Sequence, residues 1–151
     1  MTQSGYAVEY VVDNFLALLH DANFPQELAI LKVGKFQFLR RRQLLLEFRA
    51  LYIGLWRLAL ARSLPLEGED IFAAFLTTYP QQHRDAASQR LLARGQQYAE
   101  ILLSEGDRDY THISQHILSF SVLEEKDRKA QNLRLALSIR RLYGFIFSRL
   151  I

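Results

Sequence analysis

Asp109, His112 and His116 form a D-x-x-H-x-x-x-H pattern whose residue types and spacing suit metal chemistry. At about 100° per residue on a helix, the three side chains fall within about 60° of one another. A carboxylate and two imidazoles could then converge on one divalent ion. Such a site draws a further carboxylate from a facing helix, and Glu47, Glu100 and Glu105 are the acids with a claim to that role. The plain alternative is that Asp109 caps the helix while both histidines pack at the edge of an apolar stripe with their polar tips wet. The pattern dictates no third ligand, and no cofactor is expected.

A second chemistry lies in the arginines. Lys35, Arg42 and Arg49 are spaced by seven, so on one helix they form a row drifting only ~20° per step. That row could follow phosphates or meet an acidic partner. Arg40, Arg41 and Arg42 are the densest cluster, but consecutive helical residues splay over about 200° and cannot all face one ligand. Phe36, Phe38, Phe48, Tyr52 and Trp56 lie among these bases and could stack on nucleobases, although aromatics at helical spacing are core residues in most folds.

These side chains must be held by helices. Three prolines, at 25, 65 and 80, punctuate the chain, and none follows Pro80. Residues 44–61, LLLEFRALYIGLWRLALA, are hydrophobic at fourteen of eighteen positions and carry only Glu47, Arg49 and Arg57 as charges. Strong helix formers in this density predict a central helix buried nearly all round. A charge forced towards a core is costly unless paired, so Glu47, Arg49 and Arg57 call for interhelical partners or a route to the surface.

The remaining pattern fills an all-α domain of about six helices, an irregular bundle spanning residues 1–151 as a single domain. Helices are expected over 5–20, with Ser4 as N-cap, and over 25–62, with a kink or break at Gly34 or in Arg40–Gln43. Others are expected over 68–79 up to Pro80, over 82–105 with Gly106 as the stop, from Asp109 or Thr111, and after an S-x-x-E capping box at Ser121 and Glu124. No apolar run approaches the ~20 residues of a bilayer span. The absence of cysteine excludes disulfides and Cys-ligated metal, and fits a cytoplasmic address. No base precedes Lys32, so the amino terminus lacks the charged start of a secretory signal.

The net charge of +3 hides segregation. Residues 32–62 hold eight bases against Glu47 alone, and residues 128–149 hold six bases and no acid. The final ten residues, LYGFIFSRLI, leave almost no polar face, so Leu142, Phe145, Ile146, Phe147 and Leu150 are expected to be inserted between helices or used in association. Phosphate-cradling and hydrolase motifs are absent, which argues against an enzyme. The leading expectation is a helical adaptor or regulatory module that binds itself, as a homodimer, or another helical protein. A basic nucleic-acid-associated protein and a metal-dependent enzyme using Asp109, His112 and His116 are the alternatives.

Overall fold

The computed structural model describes residues 2–105 and 109–151, with side chains for 8–104 and 109–151. The expected all-α bundle is what forms, and the described residues hold seven helices and no strand. These are α1 (Thr2–Asp21), α2 (Pro25–Ile30), α3 (Phe38–Ser63), α4 (Gly68–Gln82), α5 (Ala86–Glu105), α6 (Thr111–Leu118) and α7 (Glu125–Ser148). The count exceeds six because the 25–62 stretch breaks between Leu31 and Gln37. Lys32 adopts a left-handed φ of 58°, and the Gly34 N–H donates to Gln37 Oε1 at 2.9 Å. The interruption falls at Gly34, and it leaves Lys35 in the loop before α3 rather than on it.

From Leu44 to Leu60 every α3 residue is buried except Leu45, Leu46, Arg49 and Arg57. Helices α5, α7, α4 and α1 surround it. An aromatic cluster fills the junction with α1 and α4. Phe15 stacks on Trp56 at 4.1 Å, and Phe75 meets both rings edge-on at 5.5 and 5.2 Å. Phe24 adds a second stack on Phe48 at 5.6 Å.

The closest helix packing is α3 against α5, and both helices run the same way. Glu47 meets Arg94 and Tyr98, while Gly54, one and a half to two turns further on, lies against Tyr98 and Ala99. The two helices therefore begin at the same end of the molecule.

Several expected boundaries move, each for a local reason. Pro80 lies inside α4 rather than closing it: only the last turn follows, where His83 N–H still bonds to Tyr79 O at 3.0 Å. Glu124, in extended conformation, is the N-cap of α7 without a side-chain cap. Ser121 is already consumed in the turn after α6, donating to Leu118 O at 2.7 Å, so no capping box forms. Helix α1 starts at Thr2, which places Ser4 within it. Gly106 lies outside the described residues. No helix among them is long and apolar enough to cross a membrane.

Candidate functional site

The three charges that interrupt α3 have three different fates. Arg57 crosses to α4, where its guanidinium meets Glu69 at 3.5 Å and lies over the Phe72 ring. Glu47, only 5% exposed, accepts from Arg94 Nη2 at 2.6 Å and Nε at 3.1 Å, and from the Tyr98 hydroxyl at 2.5 Å. Arg49 finds no partner among the described residues: its Nε is fully covered and makes no hydrogen bond there.

The Glu47–Arg94–Tyr98 network reaches outward through Arg94. Arg94 also donates to Gln97 at 2.5 Å, and its guanidinium lies over the Tyr98 and Phe120 rings. Burial pushes the Tyr98 phenol up, and the neighbouring Glu47 carboxylate raises it further, so the tyrosine stays neutral and donating. His116 completes the far side, edge-on to both Tyr98 and Phe120. Its Nε2 lies 3.4 Å from Arg94 Nη2. A guanidinium only donates, so Nε2 is the acceptor there and the neutral ring carries its proton on Nδ1.

Burial depresses the His116 pKa, the Arg94 charge depresses it further, and His112 adds a smaller push; Glu47 opposes them. The folded protein therefore resists protonating this ring more than the unfolded chain does. Stability is complete above the ordinary histidine value near 6.5 and falls as pH drops through it, until the folded form protonates as well. We expect a urea titration to show that His116→Gln flattens this part of the acid limb. A limb unchanged by the substitution would show that another group carries it.

The metal site expected at Asp109, His112 and His116 is not assembled: the described residues contain no group of three His, Asp or Glu side chains placed to hold an ion. Asp109 Oδ1 instead accepts the Thr111 N–H at 3.1 Å at the start of α6. His116 is turned to a cation, and Glu47 is taken up by Arg94 and Tyr98. The Glu105 side chain lies outside the described residues, and Glu100 is exposed on α5.

The basic row is split as well. Lys35 sits in the loop, but Arg42 and Arg49 line one groove with Arg41, between the first halves of α3 and α5. This groove has a volume of ≈480 Å³ and walls that include Leu45, Leu46, Tyr79 and Leu91. An adjoining cleft of ≈440 Å³ shares Arg42 and Leu46 and adds Leu39, Arg90 and Arg94. Arg41, Arg42, Arg49 and Arg90 make no ion pair among the described residues. Asp85, the one acid lining the groove, caps α5: it accepts the Ser88 N–H at 3.1 Å and its hydroxyl at 2.7 Å. Those two hydrogen bonds hold the Asp85 carboxyl below its usual range. Phe38 in the groove and Leu39 in the cleft are 70% and 82% exposed, and Phe36, in the loop before α3, is 89% exposed.

The carboxy-terminal residues do not form one patch. Ile146 and Leu150 are buried in their own chain, and Leu142 is half-buried. Phe145 and Phe147 are exposed, Phe145 lying under the Arg149 guanidinium at 4.8 Å. The strip α7 leaves to solvent is instead Leu133, Leu137 and Phe147, which share one side of the helix with Arg140.

Neither a protein-family model, nor a curated protein, nor a solved structure matches this chain.

Proposed function

We propose that this chain is a helical interaction module whose working surface is the basic end where α3 and α5 begin, and that the partner segment is acidic and amphipathic. The observation that carries this reading is the set of four arginines, Arg41, Arg42, Arg49 and Arg90, lining two adjoining clefts with no acid among the described residues paired to them. Unpaired cations alone describe any wet surface. Here they flank apolar walls and two exposed apolar side chains, Phe38 and Leu39, the mixture of apolar contact and charged surround that protein interfaces use. Four acids are spent locally: Glu47 on Arg94, Glu69 on Arg57, Asp127 on Lys32 and Asp85 on its own helix cap.

A fluorescent helical peptide built from Glu and Leu, compared with its Gln and Leu counterpart, is a suitable probe. The acidic peptide should bind more tightly, and salt should weaken it. Arg41→Gln with Arg42→Gln should lower its affinity about tenfold, equivalent to about 1.4 kcal/mol. Equal binding of both peptides by the wild type would refute the reading. If a single-stranded oligonucleotide binds more tightly than the peptide, with a steep loss in salt, the exposed Phe36 and Phe38 would be stacking platforms and the nucleic-acid alternative would replace it.

Self-association through the α7 strip is a second reading, favoured by the exposure of Leu133, Leu137 and Phe147 on one side. Light scattering should then show a dimer that Phe147→Asp dissociates without loss of helicity, and a monomer throughout the accessible concentration range would remove it.

A further inference from the structure

We propose that the inner end of the α3–α5 groove, at Arg49, is an oxyanion pocket that receives a phosphoryl group carried by the partner. This deepens the reading of the groove as a partner surface and rests on it. Arg49 is held by the middle of α3, flanked by the buried Phe48 and Ala50, so its stem is fixed where the helix enters the core. Its Nε–H is covered and has no acceptor. Buried donors in native folds are nearly always bonded, and one that is not carries the cost of its lost hydration. The two Nη groups have no acceptor among the described residues either, and their side chain lines the groove. Arg49 is thus a partly desolvated cation for which the described residues supply neither counter-ion nor hydrogen-bond acceptor.

The charge of the pocket distinguishes a phosphoryl group from a carboxylate. Arg41, Arg42 and Arg49 oppose only Asp85, which leaves an excess of two positive charges. Asp85 is held by Ser88 and kept ionised, so it cannot swing to neutralise them. One carboxylate would leave one of these charges uncompensated. A phosphate monoester brings a charge of about −1.5 to −2 at neutral pH and three strong acceptor oxygens, enough to engage three guanidinium forks. The groove, at ≈480 Å³, is far larger than a phosphate, and Leu45, Leu46, Tyr79 and Leu91 give it apolar walls. The phosphoryl group therefore arrives on a side chain with apolar neighbours, and phosphotyrosine fills such a space best.

Two peptides of identical apolar sequence, one carrying phosphotyrosine and one tyrosine, test the pocket by calorimetry on the intact protein, alongside phenyl phosphate and inorganic phosphate. The phosphorylated peptide should bind at least about tenfold more tightly than its partner. Arg49→Gln should bring the affinities of the two peptides to within about twofold of each other. Arg49→Lys, which keeps charge but loses the fork, should restore only part of it. Arg62→Gln, on the last turn of α3, should change nothing. If Arg49→Gln proves unstable, the ¹⁵N–¹H resonance of the Arg49 Nε group in the wild type provides the check: phenyl phosphate should shift it, and a titration that leaves it unmoved would overturn the pocket. Equal affinity for the two peptides would overturn the pocket but leave the groove as a partner surface. Phenyl phosphate binding that needs Arg49, with no peptide bound at all, would support the pocket and overturn the partner reading.

Discussion

Arg94→Met should destabilise the fold by about 3 kcal/mol, while Arg94→Met combined with Glu47→Leu should recover most of that loss. The single substitution leaves the Glu47 carboxylate in the core with the Tyr98 hydroxyl as its remaining donor. Breaking one side of a buried ion pair costs about 3–5 kcal/mol, because a desolvated charge is left behind. The lower end applies because a quarter of the Arg94 side chain is solvated. Replacing both partners removes the stranded charge and returns apolar volume to the contact between α3 and α5, which is close to neutral in comparable cores. Tyr98→Phe tests the third member: it should cost about 1.5–3 kcal/mol, the range for a hydrogen bond to a charged group. Urea denaturation of these three variants and of Glu47→Leu alone supplies all the numbers. A loss below about 0.5 kcal/mol for Arg94→Met, or a double variant as unstable as the sum of its parts, would show that the pair is not coupled.

This network also shows where sequence reading succeeds and where it stops. Glu47 is conspicuous in the sequence because it interrupts an apolar helix, and the demand for an interhelical partner follows from the cost of burial alone. The partner was equally visible by phase. Leu91 and Tyr98 mark the inner stripe of α5, and Arg94 lies three residues after one and four before the other, so it must face inward too. Two opposite charges at core-facing phase on two helices are a pairing signal. Matching them requires knowing that α3 and α5 are neighbours, and that is a tertiary fact.

The groove was half legible for a similar reason. Arg42 and Arg49 stand on one side of a helix at seven-residue spacing, and the fold does bring them to one groove. Lys35 fails because the spacing argument assumed a helix running through Gly34, where a left-handed Lys32 and the Gly34–Gln37 hydrogen bond turn the chain instead. Arg41 joins the groove although it is 100° from Arg42, since the space between two helices is wide enough to be lined from both flanks. The carboxy terminus divides between core and surface. Its helix turns Ile146 and Leu150 inward while Phe147 faces water, so hydrophobic density without phase overstates a patch.

Gly54→Val should be the most damaging single substitution in the chain, costing more than about 4 kcal/mol, with Gly54→Ala costing about 2. A Cβ at position 54 would stand 2.9 Å from the Tyr98 Cβ and 3.0 Å from the Ala99 backbone nitrogen. Neither atom can turn away, so α5 itself would have to move, and moving it pulls Tyr98 and Arg94 from Glu47. Helix propensity alone favours alanine over glycine by about 1 kcal/mol, which offsets only part of the clash. Gly95→Ala should cost a similar amount, because its Cβ would stand 2.8 Å from Ile53 Cγ2 and 3.0 Å from Ile53 Cβ, and no side-chain rotation moves that Cβ. Gly144 is the control: nothing lies within 4 Å of a Cβ there, so Gly144→Ala should raise stability by up to about 1 kcal/mol. Thermal melts of Gly54→Ala and Gly144→Ala should therefore shift in opposite directions. If both rose together, the closeness of α3 and α5 at this crossing would not be a constraint on the fold. If both fell, helix propensity would not govern the exposed position on α7.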